Sequence, residues 1–371
     1  MLENFSVKGF RNFKDWYHFN LKTQKNYEFN SDSIKNGIVN TSIIYGKNGC
    51  GKSNLGLAIL DITCHVNDIP VNPILSANYF NGYLKGDGLA EFKYIFQFEE
   101  SRVEYSYGKS SAADTIYETV KINGVNIVEL DRRKSNDLSV SLRGTETLNK
   151  NLTDSPISAV KYIKSNSVLD LSDKTSALFK TFTDFISGMV FFRTLTQNAD
   201  YHGQQRDTNK LSKEIIDSGK VNDFENFLND AGVNCSLGTS GQGNEKRIVF
   251  KYDNYNIDFT IAASTGTMSL GIFYYWWLKL DSGNLTFAYI DEFDAYYHYT
   301  LSKLVVKKLI DVNCQTMLTT HNLSIMTNDL LRPDCYFILA DKQYPFHELV
   351  DKDLRKAHNL EKIYKGLKYE A

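Results

Sequence analysis

The period of the apolar positions changes along the chain, and each change predicts a different kind of element. Glu3 to Lys8 and Trp16 to Leu21 read as strands, with a turn through Gly9-Phe10-Arg11-Asn12-Phe13-Lys14 between them. Residues 23 to 40 are polar and read as loop. Thr41-Ser42-Ile43-Ile44-Tyr45 is a short apolar run with β-branched residues, the pattern of a buried strand. Beyond it Leu55, Ala58, Ile59 and Ile62 recur at helical spacing, which predicts a helix from Lys52 or Ser53 to Val66. Residues 67 to 90 carry Pro70, Pro73, Gly82, Gly86 and Gly88 and read mostly as loop.

Alternation then takes over. Phe92, Tyr94, Phe96 and Phe98 are followed by Val103, Tyr105 and Tyr107, with a turn near Glu99-Glu100-Ser101. Tyr117–Ile122 and Asn126–Leu130 flank Asn123-Gly124, a hairpin signal, and Leu138, Val140 and Leu142 continue the pattern. From 150 to 235 helical spacing replaces it, at Leu178, Phe179, Phe182, Phe185 and Ile186 and again at Phe224, Phe227 and Leu228. Heptads are not sustained, so a helical insertion is expected rather than a long coiled coil. Ala199 to Lys210 reads as an exposed loop, and Arg247–Phe250 and Asn256–Ile261 as strands.

The last third predicts an apolar helix over Leu270–Leu280, preceded by Ser264-Thr265-Gly266-Thr267 in a helix-capping pattern. The strand Leu285–Ile290 runs into Asp291-Glu292, and the run from Cys314 ends in Thr319-Thr320-His321. Between them Leu301, Leu304, Val305 and Ile310 mark an amphipathic helix, the crossover that parallel strands require. The expectation is an α/β chain in three parts: residues 1–150 with a parallel core and an antiparallel sheet, a helical insertion at 151–240, and a second lobe at 241–371.

Composition narrows this little. Hydrophobic residues make up 42% and charged residues 23%, an ordinary globular balance. A formal net charge of −2 gives no global nucleic-acid signature. The five cysteines are scattered without a C-x-x-C pair, which argues for a reducing compartment and against a disulfide framework or zinc site. The amino terminus lacks a signal-peptide pattern, and Lys279 interrupts the longest apolar run. A cytoplasmic protein with no membrane partner is expected.

The chemistry centres on Gly46-Lys47-Asn48-Gly49-Cys50-Gly51-Lys52-Ser53, which fits G-x-x-x-x-G-K-[ST] between a strand and a helix. The glycines let backbone N–H groups face phosphate oxygens, and the helix N-terminus adds partial positive charge. Lys52 would reach the β- and γ-phosphates, and Ser53 would bind Mg²⁺. Asp291 would join the Mg²⁺ shell, and Glu292 would orient or deprotonate the attacking water. His321, ending a later strand, would contact the γ-phosphate or that water. The long separation of Lys52 from Asp291 argues against a small P-loop kinase or GTPase.

Together these motifs resemble an ABC-class ATPase of the SMC/RecF/OLD type, near the AAA-domain ATPases of bacterial abortive-infection systems. The resemblance rests on Phe5–Phe13, the phosphate loop, Ser264-Thr265-Gly266-Thr267 as a degenerate signature, Asp291-Glu292-Phe293-Asp294, Thr320-His321-Asn322, and a carboxyl-terminal stretch, Leu360-Glu361-Lys362-Ile363-Tyr364. It implies ATP and Mg²⁺ as cofactors, held by Arg11, Asn12, Gly46, Asn48, Gly49, Cys50, Gly51, Lys52, Ser53 and Asn54. It also implies head-to-tail dimers in which Ser264 and Gly266 of one subunit complete the partner's nucleotide site. Gln97 is the best candidate for the family's metal-contacting glutamine. By the same resemblance the chain is an ATPase switch in anti-phage defence that controls a separate effector protein. The alternative is a RecF/SMC-like DNA-repair or chromosome-associated ATPase, for which Lys352, Arg355, Lys356, Lys362, Lys365 and Lys368 offer a modest basic surface. The stretch after His321 is too short for the nuclease domain that OLD-type proteins append.

Overall fold

The computed structural model describes residues 1–367 except 24, 68, 71–75, 87, 154–155, 194–200, 203–210 and 296–298. The chain opens with β1 (Leu2–Lys8), β2 (Tyr17–Asn20), a small hairpin of β3 (Ile34–Lys35) and β4 (Ile38–Val39), then β5 (Thr41–Tyr45). The phosphate loop leads into α1 (Lys52–Val66). A meander follows: β6 (Ala90–Phe98), β7 (Ser101–Lys109), β8 (Thr115–Ile122), β9 (Val125–Asp131) and β10 (Ser135–Val140). Next come α2 (Ala159–Asn166), α3 (Lys174–Ser187), β11 (Met189–Arg193) and β12 (Tyr201–His202), then α4 (Leu211–Asp217) and α5 (Val221–Asp230). A three-stranded sheet of β13 (Leu237–Ser240), β14 (Arg247–Lys251) and β15 (Asn256–Asp258) precedes α6 (Phe259–Ala262) and α7 (Thr265–Asp281). The chain closes with β16 (Phe287–Asp291), α8 (Tyr299–Ile310), β17 (Gln315–Thr319), β18 (Tyr336–Leu339), β19 (Gln343–Pro345) and α9 (Leu360–Gly366).

Two seven-stranded sheets carry the fold, an α/β head with an antiparallel lobe beside a parallel core. The antiparallel sheet runs β10-β9-β8-β7-β6-β1-β2. Its alternating aromatics face inward: Phe92, Tyr94, Phe96, Val103, Tyr105 and Tyr107 are all buried. The Asn123-Gly124 hairpin forms as expected, both residues having positive φ (49° and 81°), as a type I′ turn requires. The second sheet runs β12-β11-β16-β17-β5-β18-β19, and its five inner strands are parallel. Buried on both faces, they lack the alternation of apolar and polar residues seen in the other sheet.

Helix α1 lies between the sheets and is buried on most of its surface, from Leu55 to Val66. On one side Tyr94 donates its hydroxyl to the Ala58 carbonyl at 3.0 Å. On the other the Tyr289 hydroxyl reaches the Lys52 carbonyl at 2.5 Å. Gly56 permits this approach. A Cβ there would run into the Tyr289 ring and lie 2.7 Å from Cε2 of Phe191. The Gln315 side chain ties the sheets together at the opposite edge. Its Oε1 accepts from Leu2 N–H at 2.8 Å, and its Nε2 donates to the carbonyls of Leu2 and Val39 at 2.9 and 3.0 Å.

Three expectations change. The 151–240 segment is not wholly helical, because Met189–Arg193 enters the parallel sheet beside β16. That run, Met-Val-Phe-Phe, is apolar at every position, so it carries no alternation to distinguish strand from buried helix. Asn256–Ile261 is a strand only to Asp258, whose carboxylate then caps a helical turn by accepting from Thr260 N–H at 2.8 Å. Of the stretch read as an exposed loop, Tyr201–His202 pairs antiparallel with β11. Residues 199–200 and 203–210 lie outside the described residues.

Gly56→Val is expected to cost about 1–3 kcal/mol through overpacking against Tyr289 and Phe191. The readout is a lower urea midpoint at unchanged slope. An unchanged midpoint would mean that α1 is free to withdraw from the sheet.

Candidate functional site

The site lies where β5, β17 and β16 end together. β5 pairs with β17 through Ile44↔Thr319, and β17 with β16 through Leu318↔Ile290. Parallel pairing therefore brings the residues following Tyr45, Thr319 and Ile290 to one edge. At that edge Gly49 and Gly51 have φ of 78° and 105°. The left-handed region suits glycine, and a side chain at Gly51 would also collide with the Asn12 amide. α1 starts at Lys52, so its first N–H groups have no partner within the helix and are free to meet an anion.

Lys52 folds over this loop. Its Nζ donates to the carbonyls of Gly46 (2.9 Å) and Lys47 (3.3 Å) and meets His321 Nε2 at 3.0 Å. An ammonium has only donors, so His321 accepts here and carries its proton on Nδ1. Burial lowers the Lys52 pKa, while the negative charges of Asp291 and Glu292 oppose that shift. Burial and the Lys52 charge hold His321 below the ordinary histidine value. The imidazole is therefore neutral at neutral pH, an acceptor rather than a second cation.

The acidic half is built around one hydroxyl. Thr319 Oγ1 donates to Asp291 Oδ1 at 2.8 Å and accepts the Glu292 N–H at 2.7 Å. Asp291 is fully buried, and its Oδ2 accepts from Arg193 Nε at 2.9 Å. Glu292 has φ of 50°. Among the described non-glycine residues with positive φ, three are asparagines, which visit this region readily; the others are Arg11, Glu99 and Glu292. Two of those three are candidate site residues, and strained backbone persists where surrounding contacts over-determine it. The next threonine repeats the device: Thr320 Oγ1 donates to Asp294 Oδ1 at 2.6 Å, and burial raises the Asp294 pKa.

A cleft of about 460 Å³ opens here, lined by Asn48, Glu292, Asp294, Ala295, Thr320, His321 and Asn322. On the other flank of the loop, Arg11 donates to Asn54 Oδ1 at 3.3 Å, and Asn54 Nδ2 donates to Asn12 Oδ1 at 2.8 Å. Asn12 in turn donates to the Cys50 carbonyl at 3.5 Å. The structure thus gathers Arg11, Asn12, the loop from Gly46 to Ser53, Asn54, Asp291, Glu292 and His321.

Gln97 does not join them, and its expected metal contact is withdrawn. β1 and β6 pair with Lys8 opposite Glu91 and Leu2 opposite Phe96. The Arg11–Asn12 turn therefore leaves β1 at the Glu91 end, whereas Gln97 sits beside Met1 at the other. Its side chain donates to the Glu99 carbonyl at 2.6 Å. Ser264 and Gly266 stand apart as well. Ser264 caps α7 by accepting from Thr267 N–H at 3.2 Å, and it lines a separate cleft of about 360 Å³ with Lys251, Tyr252 and Thr267. Sequence reasoning missed Arg193, hidden in the featureless β11 run, and gave no role to the hydroxyls of Thr319 and Thr320.

The donor set fits Mg²⁺ accompanied by a polyphosphate. Among the described residues no group of three His, Cys, Asp or Glu could hold a metal alone. Mg²⁺ is ordinarily held by one or two carboxylates together with substrate phosphates and water. Ser53 and Asp291 would supply the protein's share, and the loop N–H groups with Lys52 would take the phosphates.

A strand, phosphate loop and buried helix, facing an acidic strand end across a parallel sheet, define an ATPase head of the ABC/AAA type. The chain belongs to the family described as "AAA domain, putative AbiEii toxin, Type IV TA system", whose model matches residues 42–327. Similar solved structures include the SMC head domain from Thermotoga maritima, at 14% identity and a TM-score of 0.44, covering 93% of this chain and 98% of that one. An SMC head bound to the C-winged helix domain of ScpA has 15% identity, a TM-score of 0.46 and coverage of 92% and 96%. A third, from Pyrococcus furiosus, is an Smc head with an extended coiled coil bound to the C-terminal domain of ScpA, at 13% identity, a TM-score of 0.45 and 98% coverage of each chain. No curated protein matches. No helix among the described residues is long and apolar enough to cross a membrane.

In a histidine NMR titration the His321 midpoint is expected below the ordinary value, and Lys52→Gln should move it upward. A wild-type midpoint at or above that value would show that the nearby carboxylates outweigh burial and Lys52.

Proposed function

We propose that the chain binds ATP with Mg²⁺ at the Gly46–Ser53 loop and hydrolyses it. The observation that carries this reading is the meeting of Lys52, Glu292 and His321 at one strand edge, with Thr319 bridging Asp291 and Glu292. In this reading the loop N–H groups and Lys52 hold the phosphates, with Arg11, Asn12 and Asn54 on the flank. Ser53 and Asp291 serve the Mg²⁺ shell, which supplies charge neutralisation on the phosphates. Glu292 orients the attacking water and takes its proton, and His321, as a neutral acceptor, helps to fix that water's position.

Two heads pair so that Ser264 and Gly266 of one, at the N-terminus of α7, face the nucleotide of the other. The 17-residue α7 presents free N–H groups and a helix dipole there. The cycle of pairing and release acts as a switch in a bacterial defence system and controls a separate effector protein. The family's description as a putative toxin of a toxin–antitoxin system supports that setting. The basic surface for the repair reading is thin: Lys365 is already paired with Glu361 at 2.6 Å, and Lys368 lies outside the described residues.

ATP turnover and solution mass, measured together, test the reading. Wild type is expected to hydrolyse ATP and Lys52→Ala to be inactive. Glu292→Gln should lose about 10²–10⁴-fold in turnover, the usual contribution of a general base, while accumulating as an ATP-dependent dimer. Normal turnover by Glu292→Gln would remove Glu292 from that role. DNA binding that weakens steeply with salt would favour the repair reading.

A further inference from the structure

Asp291 is the carboxylate offered to the metal, yet it has no exposed surface and a cation already sits on it. Arg193 ends β11 directly opposite Asp291 in the parallel register, and its Nε lies 2.9 Å from Oδ2. The other oxygen accepts from the Thr319 hydroxyl, which also holds the Glu292 N–H. The two contacts differ in kind. Thr319 is fully buried and knitted into the strand edge, whereas the Arg193 side chain is 28% exposed. Of these two partners Arg193 is the one that reaches solvent, so it can yield without dismantling the sheet.

Charge makes the competition sharper. Asp291 carries a single negative charge, and a guanidinium and a divalent cation on that one carboxylate would leave a local positive excess. A second guanidinium is close by. Arg11 feels the charge of Arg193, and its buried Nε has no hydrogen-bond partner among the described residues. A polyphosphate arriving here would offer an anion to Arg11, Arg193 and Lys52.

We propose that Arg193 is a built-in competitor for the metal: it neutralises Asp291 until a Mg²⁺–nucleotide arrives, and loading exchanges the Arg193–Asp291 ion pair for a Mg²⁺–Asp291 contact while Arg193 turns to the phosphates. The inference rests on the reading of Asp291 as part of the Mg²⁺ shell. Arg193 is a positioning residue in this scheme. It holds the metal back: Mg²⁺ gains Asp291 only by displacing the guanidinium, so part of what the metal adds to nucleotide binding is offset by breaking that ion pair. A ligand shifts such an equilibrium only by its differential affinity for the two arrangements.

The test is binding of a fluorescent, non-hydrolysable ATP analogue to the full chain, with Mg²⁺ and with EDTA. The quantity read is the ratio of the two affinities. Arg193→Gln should raise this Mg²⁺ enhancement about fivefold or more, the usual lower range of such coupling. Arg193→Lys, which retains a cation, should fall between. Without ligand, Arg193→Gln should also lower the melting temperature, since the buried ion pair with Asp291 is lost, and Mg²⁺–nucleotide should restore most of the loss. An unchanged or smaller enhancement in Arg193→Gln overturns the proposal and makes Arg193 a fixed support for Asp291. Asp291→Asn separates the two readings. If it keeps the full Mg²⁺ enhancement, the metal role of Asp291 itself is wrong. If it loses the enhancement while Arg193→Gln leaves it unchanged, only the competition fails. Should Arg193→Gln not fold, the comparison of Arg193→Lys with wild type carries the same decision.

Discussion

The shared carboxyl edge of β5, β17 and β16 is the constraint on which the site depends. These strands come from distant parts of the chain, and their register alone decides which side chains meet. A one-residue slip in a strand turns every side chain to the opposite face. Thr319 secures the register where it matters: one hydroxyl serves both the Asp291 carboxylate and the Glu292 N–H. That double use accounts for the tolerance of a left-handed glutamate. Such a conformation costs on the order of 1–3 kcal/mol and survives only when its surroundings fix it.

α1 carries this constraint to the antiparallel lobe. Lys52 stands at its first turn, and Asp61, further along, accepts from Tyr79 (2.8 Å), Tyr107 (2.8 Å) and Lys109 (2.7 Å). The helix is thus held at the nucleotide loop and again by the aromatic face of the other sheet. A stiff rod of 15 residues, roughly 22 Å long at 1.5 Å per residue, connects the two. α1 thus joins the loop directly to β7 and its neighbours.

Legibility in the sequence followed how local the cause was. The phosphate loop was readable because its glycines, lysine and serine are required by backbone geometry within eight residues. The β6–β7 pair was readable because one solvated face enforces alternation, and the Asn123-Gly124 turn because two positive φ angles demand those residues. Ser264 was legible as a cap for the same local reason. β11 was not: a strand buried on both faces loses its period, and Arg193 went unnoticed with it. Gln97 was misplaced because a candidate chosen by residue type and strand end says nothing about which end of the lobe that strand end occupies. Only the pairing of β6 with β1 settles that.

The placing of β5 has a consequence for how the protein is made. β5 is flanked on both sides by strands from the far end of the chain, β17 and β18, with pairs such as Thr41↔Thr316 and Tyr45↔Ile338. During synthesis it has both edges unpaired until β17 and β18 have followed it. Contacts of such sequence separation form slowly, and an apolar strand waiting with open edges is exposed to aggregation. Translation order therefore acts as a safeguard and a liability together. A truncated product cannot assemble the edge that joins Lys52 to Asp291 and Glu292, and a stalled one displays an unpaired apolar strand for chaperones and proteases to recognise.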